Sequence, residues 1–224
     1  MPAAGRDQEG LRLMRIRLAL AALAMVAVVA ASNFLVQYPV QIRIGALNLA
    51  DFLTWGAFSY PFAFLVTDLT NRHFGPAIAR RVVVAGFVVG VALSVYLATP
   101  RVAAASGTAF LVGQLLDIAI FSRLRARVWW LPPLFAPIMG STIDTLIFFS
   151  LAFSPLFAGL DLWFGHPDGS LAFPAPLFGI GPPVALWVSL AAGDLSVKLS
   201  AALLLLAPYR MLMGPVMRRR AVAA

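Results

Sequence analysis

Long apolar runs broken by short polar or basic clusters set the pattern of this chain. The runs are Ile16 to Gln37, Asp51 to Leu69, Val82 to Thr99, Val102 to Leu124, Leu131 to Phe153 and Val184 to Met213. Each is long enough to cross a hydrocarbon core of about 30 Å. Each must be helical there, because a lone strand would leave backbone N–H and C=O groups unpaired in lipid. The pattern predicts an all-α polytopic membrane protein, a six-transmembrane-helix bundle.

The arginines test that count. Arg6, Arg12, Arg15 and Arg17 precede the first run; Arg72, Arg80 and Arg81 follow the second; Arg123, Arg125 and Arg127 follow the fourth; Arg210, Arg218, Arg219 and Arg220 close the chain. The other connections hold only Arg43 and Arg101. With six spans nearly all the arginines fall on one side, and the excess of cations in cytoplasmic loops puts both termini in the cytoplasm. The chain then divides into a cytoplasmic segment over 1–15, a transmembrane domain over 16–213 and a basic cytoplasmic tail over 214–224. Trp129 and Trp130 suit an aromatic anchor at the inner headgroups. The stretch Ser154 to Pro183, rich in Pro and Gly and without Lys or Arg, reads as an external loop, partly re-entrant. The connection at Pro100–Arg101 is so short that the third and fourth spans form a tight hairpin.

Composition agrees. Hydrophobic residues make up 61% of the 224 and charged residues 12%, against about a quarter charged in a soluble domain. Too few charges remain to coat a water-facing surface. The absence of cysteine excludes disulfides and thiolate metal sites. The net charge of +8 sits in clusters between apolar runs, which suits topology better than nucleic-acid binding. Arg6 to Arg17 followed by an apolar run resembles a signal peptide. The run lacks a clear cleavage stretch and continues into Ser32–Asn33, so it reads as a retained first helix.

Few polar residues lie within the runs, and charge there is expensive enough to mark a functional candidate. Asp194 and Lys198, four apart, share a helix face, and Lys198 is the only lysine. They are either a self-neutralising pair or a binding or coupling site. Asp144, in Gly140-Ser-Thr-Ile-Asp-Thr145, has no local cation and requires a partner on another helix, a ligand or a proton; Gly140 and Ser141 permit close helix approach. Gln114 and Asp117 share a face, as do Asn33 and Gln37; such groups serve either as interhelical glue or in binding. Asp51 reads as an N-cap. Asp68, four residues before Arg72, reads as an ion pair or helix-end contact, or with the segment through Arg80 and Arg81 as a cytoplasmic gate. Pro61 favours a kink. Trp55, Phe58, Ser59 and Phe62 form a stripe that is either packing or a stacking wall for a planar ligand.

Enzyme readings are weak. Asp144 lacks the Gly-x-Gly-Asp context of intramembrane aspartyl proteases, both histidines lie outside the runs, and no phosphate loop or metal spacing is present. A channel would call for a ring of like charge, which is not evident. Scattered polar groups around one midplane site fit a transporter better, with no cofactor.

Several blocks resemble the queuosine precursor transporter family, also called the putative vitamin uptake transporter family: Ser32-Asn-Phe-Leu-Val-Gln-Tyr-Pro39, Thr54-Trp-Gly-Ala-Phe-Ser-Tyr-Pro-Phe62, Phe64-Leu-Val-Thr-Asp-Leu-Thr70, Phe74-Gly-Pro76, Ala79-Arg-Arg81, Gly113-Gln-Leu-Leu-Asp117, Phe121-Ser-Arg-Leu-Arg125, Asp144-Thr145, and Asp194 with Lys198. The resemblance covers most of residues 30–213 and is most specific around the second run. The external loop after the fifth run is longer, and the connection at Pro100 shorter, than the family pattern leads one to expect. The resemblance implies a multi-pass protein of a bacterial inner membrane that imports 7-cyano- or 7-aminomethyl-7-deazaguanine for tRNA queuosine salvage. A carboxylate such as Asp144 or Asp194 would accept the base's adjacent donors, Asn33 or Gln114 would donate to its carbonyl, and Trp55 or Phe58 would stack on the ring, with Asp117 and Lys198 in the same set. Asp68, Arg72, Arg80 and Arg81 would gate. The competing readings are a substrate-binding membrane subunit of an ATP-driven uptake complex and a membrane assembly factor. Small residues in the first run offer a docking face for a partner helix or a second copy.

Overall fold

The computed structural model describes the backbone of residues 3–222, with the side chains of residues 8, 9 and 12–214. The expectations resting on Arg6, Arg218, Arg219 and Arg220, and so on a basic tail, lie outside the described side chains. The chain runs α1 (Ala3–Leu35), a hairpin of β1 (Arg43–Ile44) and β2 (Leu47–Asn48), α2 (Trp55–Ser59), α3 (Pro61–Phe74), α4 (Pro76–Leu97), α5 (Pro100–Leu124), α6 (Leu131–Phe153), α7 (Ala158–Trp163), a hairpin of β3 (Pro174–Pro176) and β4 (Pro183–Ala185), α8 (Leu186–Leu204) and α9 (Leu206–Val222).

Among the described residues, five stretches are long and apolar enough to cross a membrane: Arg12–Leu35, Pro76–Leu97, Pro100–Leu124, Leu131–Phe153 and Leu186–Gly214. The expected second span is divided. Proline at position 61 supplies no N–H to the ladder and instead opens α3 as its first residue. The expected kink lies at Tyr60, which keeps α-helical dihedrals between a five-residue α2 and a fourteen-residue α3. The last span bends at Leu205, between α8 and α9.

Proline heads α4 and α5 as well, where a missing N–H costs nothing. Thr99 accepts from the Val102 N–H to cap α5, leaving only Ala98 and Thr99 between α4 and α5, as the tight hairpin required. Gly75, at φ +87°, makes the equally abrupt turn from α3 to α4. Asp51 is not an N-cap: it ends a 3-10 turn and accepts from Asn48 Nδ2 at 2.8 Å, while Thr54 precedes α2. The loop after α6 is structured, with α7 and the β3–β4 hairpin, and Ser189 of α8 accepts from the Phe178 N–H at 2.9 Å.

The bundle is apolar outside and polar within. Val88, Val95, Leu146 and Leu203 are exposed, whereas Gln114, Asp117, Asp144 and Lys198 are buried. Lipid, unlike water, rewards that arrangement. The apolar core joins Met25 and Val29 of α1, Ala63 of α3, Val82 and Val83 of α4, and Phe110 and Ile118 of α5. α5 and α6 meet almost backbone to backbone at Gly113 and Gly140. A Cβ on Gly113 would lie 2.9 Å from Asp144 Cβ, and one on Gly140 would lie 2.9 Å from the Gly113 carbonyl. That contact, expected from Gly140, holds Asp117 and Asp144 on facing helices.

Candidate functional site

Lys198 of α8 is the centre of the largest buried charge cluster among the described residues. Its Nζ lies 2.6 Å from Asp144 Oδ2 on α6 and 2.6 Å from Asp194 Oδ2 one turn back on α8. It also donates to Thr145 Oγ1 at 3.1 Å, and that hydroxyl donates to Asp194 Oδ2 at 2.8 Å. Tyr60, at the break between α2 and α3, donates to Asp144 Oδ1 at 2.7 Å, and Lys198 Nζ sits 4.8 Å from the centre of its ring. Three helices thus converge on one ammonium. The partner that Asp144 required is Lys198, from across the bundle.

One ammonium faces two carboxylates, so the fully ionised cluster carries a net charge of −1. Burying ions is repaid only where geometry and hydrogen bonds are nearly complete. Asp144 meets that condition with Tyr60 and Lys198 on its two oxygens. Asp194 is the looser arm: its side chain is 16% exposed, against 5% for Asp144.

A second polar group lies where α3 meets α5. Thr67 donates to Gln114 Oε1 at 2.5 Å. Gln114 Nε2 is buried without a partner. Asp68 and Asp117 are 1% and 0% exposed, and their carboxyl groups face each other within hydrogen-bonding range. No N–H or hydroxyl among the described residues reaches Asp68 Oδ1 or either oxygen of Asp117. Arg72, beside Asp68, donates to Tyr209 Oη at 3.0 Å and to the Arg125 carbonyl at 2.9 Å, and its Nη2 is buried without a hydrogen-bond partner.

A narrow cleft joins the two groups. Pro61, Phe64 and Asp68 line it from α3, Pro137 and Ser141 from α6, and Lys198 and Leu205 from the α8 side. The room for a water centre in it is about 10 Å³, enough for a single water. Both helix breaks, at Pro61 and Leu205, border this cleft.

The remaining sequence candidates lie elsewhere. Asn33 donates to the Val29 carbonyl and accepts from Ser94 Oγ, in a separate cavity between α1, α4 and α5. Trp55 and Phe58 are 43% and 40% exposed, their rings 5.8 Å apart, and neither lines the cleft. Arg80 and Arg81 are exposed at the start of α4. Two residues escaped the sequence reading. Tyr60 lay within a quoted motif, but nothing local marks its hydroxyl as a partner of Asp144. Arg101, read as an outer-loop arginine, is 1% exposed and paired with Asp161 at 2.7 Å.

Apolar helices facing outward, an internal charge cluster and two broken helices along a cleft define a multi-pass helical membrane protein built around a polar core. A family model described as "Putative vitamin uptake transporter" matches residues 54–99 and 92–213. The chain belongs to that family. It is 40% identical over 147 residues to the "Queuosine precursor transporter" of Escherichia coli (strain K12), a match covering 56% of this chain and 64% of that protein. It is 39% identical over 153 residues to the "Probable queuosine precursor transporter" of Haemophilus influenzae, covering 56% and 65%. A "Probable queuosine precursor transporter" of Bacillus subtilis is 30% identical over 138 residues, covering 49% and 60%. The chain thus spans less than two thirds of the length of each of these relatives. No solved structure matches it.

Proposed function

We propose that this chain is a membrane transporter that imports queuosine precursors, 7-cyano-7-deazaguanine or 7-aminomethyl-7-deazaguanine, across a bacterial inner membrane. The observation that carries the reading is the Lys198 cluster: three converging helices and a net negative charge, in a chain whose family relatives carry that name. With α2 and α3 taken as one broken crossing, the chain crosses six times. The arginine clusters then put both termini in the cytoplasm.

The base presents adjacent N–H donors and a carbonyl acceptor. Asp194 is the carboxylate that receives the donors, because it is the more exposed arm and can release Thr145 and Lys198 while Asp144 keeps the ammonium neutralised. Lys198 or the freed Thr145 hydroxyl donates to the carbonyl. Phe64 and Tyr60, which border the cleft and the ammonium, supply apolar ring surface in the place first given to Trp55 and Phe58. An aminomethyl substituent, carrying a positive charge, offsets the cluster's surplus negative charge. A base with the wrong edge would leave a buried carboxylate or ammonium unpaired, which is how such a site discriminates.

The cleft as described holds a water and no base, so binding requires it to open. Pro61 and Leu205 are the places where α2–α3 and α8–α9 flex, and Asp68 and Arg72 stand at the far end of the path as the gating pair.

The test is tRNA queuosine content in cells unable to make the precursor, fed low external 7-cyano-7-deazaguanine with and without this chain. Restoration that depends on the chain is the expected result. No restoration, with the protein demonstrably in the membrane, would sink the reading.

A further inference from the structure

We propose that the Asp68–Asp117 pair is a proton-carrying site, separate from the Lys198 cluster, through which substrate entry is coupled to proton entry. The inference rests on the transport reading above and adds the driving ion.

Four observations lead to it. Both carboxyls are almost wholly buried, on helices that face each other, within hydrogen-bonding range. Two carboxyls can make that bond only with a proton between them, since neither has another donor to offer. No other donor among the described residues reaches Asp68 Oδ1 or either Asp117 oxygen, so no hydrogen bond at those three oxygens holds both as anions. Gln114, one turn before Asp117 and tied to Thr67 beside Asp68, adds an unpartnered buried N–H group at the same contact.

The occupant is small. In this closed conformation the neighbouring cleft has room for about one water centre, enough to relay a proton to the pair. Among the described residues no cluster of three or more acidic or histidine side chains exists to strip and ligate a metal ion. A proton needs no room, and the cleft that Asp68 lines also reaches Lys198, giving the proton a route past the substrate cluster.

The charged surroundings are sparse. From α3 comes Arg72, from α5 Asp117 itself, and from α9 Tyr209, which accepts from Arg72. Asp144 of α6 and Lys198 of α8 neutralise one another at the other end of the cleft. Arg72 is the cation next to the pair; it donates to Tyr209 and the Arg125 carbonyl with its Nη2 left unpartnered, and the Arg125 guanidinium donates to the Arg72 carbonyl beside it. The step is a simple proton binding: one proton from outside water joins the pair, taking it from −2 to −1, and leaves to inside water when the cleft opens inward. No covalent bond to substrate forms or breaks.

The full chain in liposomes, with 7-cyano-7-deazaguanine as probe, tests it. Substrate entry without an imposed gradient should acidify a lumen loaded with a pH dye, and an inside-alkaline gradient should drive accumulation above the external level. Asp68→Asn places an amide where the shared proton would be, fixing the pair as if protonated. It should lose substrate-linked acidification of the lumen and gradient-driven accumulation, the inside-to-outside ratio falling to about one. Wild-type counterflow with no lumen acidification overturns the proton site and leaves the transport reading standing, whatever the variant does. Accumulation driven by a sodium gradient instead overturns it also. Absence of wild-type counterflow removes both.

Discussion

Arg101 and Lys198 are both buried cations in an apolar protein, yet they are solved in opposite ways. Arg101 is saturated. Its Nε donates to the Leu151 carbonyl at 2.7 Å, Nη2 to the Ser154 carbonyl at 2.5 Å, and Nη1 to Asp161 at 2.7 Å and Ser170 at 3.3 Å. Asp161 in turn accepts from the Gly169 N–H at 3.0 Å. One buried cation meets one buried anion, a second carboxylate, Asp168, standing 3.6 Å from Nη1 but 53% exposed, and the planar guanidinium pins the loop after α6 onto the start of α5. Lys198 is oversubscribed, with two carboxylates for one ammonium and one of them partly exposed. Burial of charge therefore does not by itself mark function here. A cation saturated by carbonyls and one buried carboxylate, its second carboxylate out in solvent, marks a structural clasp; a surplus of one sign held inside the bundle, beside a cleft, marks a place where something charged or polar can be exchanged.

Crossed substitutions sharpen that contrast most. Arg101→Ala strands Asp161 and two carbonyls, and should cost about 3–5 kcal/mol of stability while sparing uptake per folded molecule, as read by thermal unfolding in detergent beside transport. Lys198→Met leaves two carboxylates without their ammonium. It should abolish uptake by more than about a hundredfold, the equivalent of roughly 3 kcal/mol, even where folded protein is recovered. Asp194→Asn should do the reverse of Arg101→Ala: uptake falls at least about tenfold, close to 1.4 kcal/mol, and the melting temperature barely moves because Asp144 still holds Lys198. Tyr60→Phe removes one hydrogen bond to Asp144 and should cost about 1–2 kcal/mol, shared between stability and uptake. Arg80→Ala, at an exposed position, should change stability by no more than about 0.5 kcal/mol, and an uptake loss comparable to that of Asp194→Asn would return Arg80 to the gate.

Much of this was legible in the chain. Five apolar helices and the α4–α5 hairpin follow from run lengths and from proline and threonine at Thr99-Pro100. Pro61 announced the kink in the second span, which falls at Tyr60 just before it. Asp194 with Lys198 was visible because a four-residue spacing fixes a shared face. Contacts between helices were not visible. Asp144 declared a need for a partner without naming it, and Asp68 and Asp117 looked like separate residues because no spacing rule relates positions on α3 and α5. Arg101 looked like a stray loop arginine for the same reason: its partner Asp161 lies 60 residues on. Trp55 and Phe58 show the converse, a helical stripe that satisfied the period and faces outward in this conformation. Local periodicity identifies which face is polar; only the packing of helices decides which polar faces meet.

The most direct test of the central claim is binding of 7-cyano-7-deazaguanine to the purified chain by calorimetry, wild type against Asp194→Asn, at matched melting temperature. The account predicts saturable binding by the wild type and an affinity at least about tenfold weaker in the variant, a change of 1.4 kcal/mol or more. Equal affinities in two equally stable proteins would contradict it and move the base away from the Lys198 cluster.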